Sequence, residues 1–246
     1  MTNTPTLSPA GWYPAPDGSA TTWWWDGATW SQQRPTPPPV SSPAIAKLAL
    51  TTQVLLIVCG VLAVATIGLE AFGINAVANF LNGSDTTTDA LDIYDRSTSV
   101  VSIATTIAII ATGILWAIWQ YRAARHLAGL TRRSAGWHAG SWFVPIVSFW
   151  FPYQNISDLW RAMGRTRPSW QIAWWVLFIG SNILVGQSTR LYLAAQDLEQ
   201  FRVAMWVNLV GEILAVAAVP LACLIVRGIT QGLMLRPTDP VPSPGA

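Results

Sequence analysis

Residues 1–246 read as an all-α integral membrane bundle of about four transmembrane helices, joined by a re-entrant or interfacial segment and preceded by a small three-stranded β meander. Three observations lead there. Hydrophobic residues make up 52% of the chain and charged residues only 11%, whereas a soluble domain carries about 25% charged residues. Four apolar runs reach the roughly 17–25 residues that a bilayer core demands of a helix. Before the first of them comes a tryptophan-dense stretch punctuated by Asp-Gly turns.

That stretch, residues 9–32, holds three short aromatic runs separated by Asp17-Gly18 and Asp26-Gly27. Asp-Gly between aromatic runs is a strong short-range hairpin signal, so the pattern predicts an antiparallel meander. Side chains alternate across a strand, so Trp23 and Trp25 should share one face and Trp24 the other. About twenty residues bury little area, and a sheet of this size needs aromatic stacking or a partner for stability. Trp12, Tyr13, Trp24, Trp25 and Trp30 are the candidate protein-interaction residues.

Residues 33–46 follow as a linker. Pro35, Pro37, Pro38, Pro39 and Pro43 favour polyproline II, a spacer or a ligand for an aromatic sheet. Residues 47–235 form the transmembrane domain, and 236–246 are expected to be a disordered tail. Met1–Ser42 has no apolar core of the signal-peptide kind, so the first hydrophobic run is the expected insertion signal.

The spans are Leu48–Leu69, Ser97–Tyr121, Trp170–Gln187 and Val203–Val226. The second is rich in β-branched residues, yet 25 residues are too many for a strand, and lipid enforces helix. A fifth apolar stretch, Gly136–Gln154, carries Pro145 and Pro152 with basic residues on both sides. If it does not cross, Lys47 and Arg34, 122, 125, 132, 133, 161, 165, 167, 227 and 236 lie on one side, eleven in all. Arg96, Arg190 and Arg202 are then the three on the other. If it crosses, the split is eight against six. The positive-inside rule favours the first arrangement, with both termini cytosolic. Glu70, Asp85, Asp89, Asp92 and Asp95 then fall in an outer loop. Trp116, Trp119, Trp160, Trp170, Trp174 and Trp175 fall near cytosolic helix ends, where an indole can keep its N–H wet.

Residues capable of chemistry are few. Glu212 interrupts the fourth span, and an ionisable residue in a membrane is a functional hypothesis by default. Thr105 and Thr106 lie at similar depth, with Asn182 and Asn208 nearby. The bland alternative is an interhelical hydrogen bond that holds the bundle together. Gly211, Ala215, Ala218 and Ala222 form a small-residue stripe for close helix packing. Arg122, Arg125, Arg132 and Arg133, around His126, are candidate ligands for anionic lipid headgroups. His138 and Ser141 are three apart, with no carboxylate at a meaningful spacing, so no hydrolase is expected. No catalytic, cofactor-binding or metal site is expected. Cys59 and Cys223 sit in apolar runs as small buried hydrophobes. A net charge of +2 gives no reason to expect nucleic acid.

Two resemblances follow from particular motifs. Gly11-Trp12-Tyr13-Pro14, Pro16-Asp17-Gly18, Trp24-Trp25-Asp26-Gly27 and Trp30 resemble the short actinobacterial module called domain of unknown function 2510. Ala15 departs from its pattern where an Asp is common. Trp119…Arg122-Ala123, Gly136-Trp137, Gly140-Ser141-Trp142-Phe143…Pro145, Pro152-Tyr153 and Trp160-Arg161 resemble the bacterial membrane family called domain of unknown function 4328. That resemblance covers roughly Leu48 to Leu235 and implies a multi-pass membrane protein without naming a substrate. The expected partners are the bilayer, another membrane or cytosolic protein through the Trp-rich module, and a second copy of the chain. The expected function is a non-enzymatic membrane scaffold. The alternative is a small transporter or channel component using Glu212 and residues 136–154.

Overall fold

The computed structural model describes residues 11–19, 21–25, 28–32 and 42–235. The Asp26-Gly27 turn, the proline-rich run and the C-terminal tail read from the sequence lie outside them. The chain divides into two units, residues 1–40 and 41–246.

In the first unit, β1 (Gly11–Pro14), β2 (Thr22–Trp25) and β3 (Trp30–Ser31) form an antiparallel sheet in the order β1-β2-β3. Trp12 pairs with Trp24, Tyr13 with Trp23, and Trp25 with Trp30. This register puts Trp24 on the face opposite Trp25, as strand alternation requires. Trp12 packs edge-on against Trp24 at 5.6 Å, while on the other face Trp30 meets Trp25 at 5.0 Å and Tyr13 at 6.1 Å. At Gly18 the chain turns with φ +78, a conformation that glycine adopts without steric cost.

The second unit holds α1 (Ser42–Leu81), α2 (Asp89–His126), α3 (Ala135–Gly140), α4 (Phe151–Ala162), α5 (Gln171–Ala194) and α6 (Leu198–Met234). Four of these, α1, α2, α5 and α6, are long and apolar enough to cross a membrane. Only 11–28% of each apolar window is buried within the protein. Val61, Val64, Ile103, Ile107 and Val176 are among the large aliphatic side chains left facing outward. Lipid makes that arrangement tolerable, and water would not. α6 packs on both α1 and α5, and α2 on α1, with short connections that make sequence neighbours antiparallel.

The segment between α2 and α5 does not form a fifth span. It folds as α3, a short 3-10 turn over Val147–Phe149, and α4. α3 ends at Gly140, Pro145 lies in the turn that follows it, and Pro152 sits in the first turn of α4, where its missing N–H costs nothing.

Three expectations need correction. Helix α1 does not end at Leu69. It continues for twelve residues past it, taking Glu70 out of the supposed loop and into the helix interior. Asp89, Asp92 and Asp95 likewise belong to the first turns of α2, leaving 82–88 as the connection. The tryptophans do not all form a wet belt. Trp116, Trp119, Trp160 and Trp174 are buried in the main hydrophobic cluster, with Ile45 of α1 and Ile225 and Ile229 of α6.

Candidate functional site

The polar chemistry gathers at the two ends of the helix bundle. At the end where α2 passes into α3, a hairpin of two short helices is pinned by buried polar side chains. Gln120 on α2 is fully buried, and its Oε1 accepts from two indoles, Trp116 Nε1 at 3.0 Å and Trp142 Nε1 at 2.8 Å. Trp119 Nε1 donates to Thr230 on α6 at 3.0 Å. Asn155 on α4 donates to the Trp137 carbonyl and to Ser141 Oγ, closing α4 onto α3. Gln171, at the start of α5, donates to Ser157 and to the Tyr153 carbonyl.

Asp158 on α4 organises the inner side of this hairpin. It accepts from the Arg132 backbone N–H at 2.7 Å and pairs with Arg161, and His138 Nε2 lies 3.6 Å away. His138 is fully buried, and burial pushes its pKa down to about 4, against the opposing pull of Asp158. The imidazole is therefore neutral near pH 7. Thus the sequence reading missed a carboxylate for His138, twenty residues downstream. Ser141 is buried as well, and its Oγ accepts from Asn155 Nδ2.

The outer side of the same hairpin is apolar. Phe143 and Ile146 are about 70% exposed, and Phe149 and Trp150 are exposed beside them. At the tip, Ile146 has φ 67 and the Val147 N–H donates to the Pro145 carbonyl at 2.7 Å, a tight three-residue γ-turn. Polar side chains point in and apolar ones out, as an interfacial segment in lipid requires.

The four candidate headgroup arginines separate here. Arg125, Arg132 and Arg133 line one cavity of about 320 Å³ with Thr131 and Ser134. Arg122 is exposed but does not line it. A second, shallower cavity of about 390 Å³ adjoins at Ser134 and is lined by Trp137 and Val144.

At the opposite end, one carboxylate ties all four spans together. Glu70 on α1 is 2% exposed. It accepts from Tyr94 Oη on α2 at 3.1 Å, from Tyr192 Oη on α5 at 3.1 and 3.0 Å, and from Asn208 Nδ2 on α6 at 2.7 Å. Ser188 Oγ in turn donates to Asn208 Oδ1. Three neutral donors satisfy this buried carboxyl group, which forms no ion pair among the described residues. Gly73, one turn along α1, lets the Tyr94 ring lie against the helix backbone. The sequence reading missed this cluster because it took the charge of Glu70 as the end of a span. The apolar run Ala71, Phe72, Ile74, Ala76, Val77 was the available signal for a longer helix.

Glu212 lies one turn deeper on α6 than Asn208. It is half-buried, with no hydrogen bond or ion pair among the described residues. Of its expected neighbours, Thr105 is half-buried with an unpartnered hydroxyl, whereas Thr106 faces outward and bonds to the Ser102 carbonyl of its own helix. Asn182 also faces outward and bonds to Phe178. Gly211 meets α5 closely, since a Cβ there would stand 3.0–3.2 Å from Val185 and Leu184. Cys59 and Cys223 are free thiols.

A family model described as domain of unknown function DUF4328 matches residues 82–231. The chain belongs to this family. The match spans α2 to most of α6 and so includes the pinned hairpin, Tyr94, Tyr192 and Asn208. Glu70 and the N-terminal sheet lie outside it, so the match is shorter than the Leu48–Leu235 expected from the motifs. No curated protein matches this DUF4328 chain with significance, and no solved structure does.

Proposed function

We propose that this DUF4328 chain is a non-enzymatic membrane scaffold whose N-terminal Trp-rich module docks another protein. The observation that carries this reading is the exposure of aromatic side chains on a sheet too small to bury them. Trp12 is 51% exposed and Trp30 39% exposed. Trp and Tyr on a rigid small sheet supply large contact area at low entropic cost, the composition of binding hot spots. The module resembles domain of unknown function 2510, which is appended to membrane-associated proteins of actinobacteria. In that setting the module and both termini face the cytosol, on the arginine-rich side of a bacterial plasma membrane. Cysteine labelling at the exposed Ser84, Ser134 and Ser169 in intact cells tests the orientation. Position 84, in the connection between α1 and α2, should react from outside, the other two only after permeabilisation.

The scaffold reading is tested with a photo-crosslinking side chain at position 12 or 30 of the full chain in its native membrane. A discrete heteromeric adduct, lost in Trp24→Ala and Trp25→Ala, is expected. Adducts only with lipid or with the same chain would overturn it.

A second reading is favoured by one observation, Glu212 on a spanning helix with no hydrogen bond or ion pair among the described residues. On it the chain is a small transporter or channel component that oligomerises, using Glu212 and residues 136–154. Solute flux in liposomes that disappears in Glu212→Ala would support this over the scaffold.

A further inference from the structure

We propose that the cavity between the end of α2 and the start of α3 is a binding site for a phosphate-bearing anion at the membrane surface. Arg125, four residues past the Ser97–Tyr121 apolar run, stands about 6 Å beyond it at 1.5 Å per residue. The polar layer of a bilayer occupies roughly 5–8 Å on each side of the hydrocarbon, so the guanidinium lies at headgroup depth. At Gly129 the backbone turns with φ +85, and this reverses the chain so that Arg132 and Arg133 come back to the same cavity as Arg125.

The charge there is not cancelled. Arg125 and Arg132 are exposed, and neither forms an ion pair among the described residues. Arg133 is held rigidly, its Nη1 donating to Asn155 Oδ1 at 3.0 Å and its Nη2 to Gln154 Oε1 at 2.7 Å, with the guanidinium 3.9 Å above the Phe151 ring. Both acceptors are neutral amides, so they fix the direction of the guanidinium and leave its charge in place. The carboxylate in contact with this loop, Asp158, is turned inward and paired with Arg161. Ser134 adds an exposed hydroxyl with no helix-capping bond to make. Three guanidinium groups and a free hydroxyl around about 320 Å³ suit a tetrahedral oxyanion, because arginine's planar fork matches phosphate bidentately.

A lipid headgroup and a soluble phosphate ester share this chemistry, and the experiment separates them. The full chain is placed in nanodiscs of phosphatidylcholine alone or with phosphatidic acid added. Bound acidic lipid is measured by native mass spectrometry. Separately, inorganic phosphate is titrated against the chain in the uncharged nanodiscs. Arg125→Gln/Arg132→Gln removes two exposed charges at the cavity, and Arg96→Gln/Arg190→Gln removes two exposed charges at the other end of the bundle. Anion binding is expected to be about thirtyfold weaker in the first variant and unchanged in the second. Retention of phosphatidic acid without a response to inorganic phosphate assigns the site to lipid. A response to phosphate in uncharged nanodiscs assigns it to a soluble ester. Equal binding by both variants, or no binding of either anion by the unmodified chain, overturns the proposal.

Discussion

The Tyr192 hydroxyl on α5 meets the carboxylate of Glu70 on α1 across 122 residues of sequence, 3.0 Å from its Oε2. Tyr94 and Asn208 complete the ring of donors from the remaining two spans. Glu70→Ala should therefore loosen all four helices at once. It leaves three donors without an acceptor, at about 1–3 kcal/mol each and not fully additive. Tyr94→Phe removes one bond and should cost about 0.5–1.5 kcal/mol. Thermal unfolding in detergent measures both, and an Ala variant as stable as the parent would refute the four-way tie.

Close approach of α1 and α2 depends on Gly73. An added Cβ would lie 2.6 Å from two ring atoms of the buried Tyr94. Gly73→Ala should cost about 1–3 kcal/mol through overpacking. Gly113→Ala, on α2 with nothing within 4 Å of the new methyl, should leave the melting temperature unchanged or raise it slightly.

Docking of α3 should depend on pH through His138. Its ordinary pKa of 6.5 falls to about 4 in the folded hairpin. The undocked state thus binds the proton first, and docking is favoured fully above about pH 6.5 and progressively lost as the pH falls toward 4. Arg133 adds repulsion to the imidazolium, and Asp158 opposes it. Amide exchange over residues 137–141, corrected for its intrinsic pH dependence, should rise across that window. In His138→Gln the corrected exchange should be flat.

Gln120 is the hinge pin between the bundle and the hairpin, because one carbonyl oxygen serves the indoles of α2 and of the 141–146 turn. Gln120→Leu fills the same space and strands both N–H groups. The expected loss is about 2–5 kcal/mol, seen as faster proteolysis between Trp142 and Pro152. Gln120→Glu keeps both acceptor contacts and should be cut more slowly than the Leu variant.

Strain at Ile146 predicts an inverted order of substitutions. A β-branched residue at φ 67 costs about 1–3 kcal/mol. Ordinarily glycine is less stabilising than alanine by about 0.5–1 kcal/mol. Here Ile146→Gly should be more stable than Ile146→Ala by about 1 kcal/mol in detergent, since both lose the same exposed side chain and only glycine relieves the backbone. Urea or thermal melts of the pair decide it.

Composition along the chain sufficed to count the spans and find the apolar centre of each, and to locate the break near Pro145 and Pro152 and the strand alternation that separates Trp24 from Trp25. Each of these is a local property: run length against bilayer thickness, a missing N–H, the two-residue period of a strand. What composition could not do was say which polar side chains meet. In water a helix betrays its inner face by the contrast between apolar and polar stripes. In lipid both faces are apolar, and that contrast nearly vanishes. Glu70, Tyr94, Tyr192 and Asn208 lie on four different helices, and Gln120, Trp142 and Asp158 on three different segments. Only the packing of antiparallel helices brings them within hydrogen-bond distance. The same packing separates Arg125, Arg132 and Arg133, which share a cavity, from Arg122, which the sequence had grouped with them.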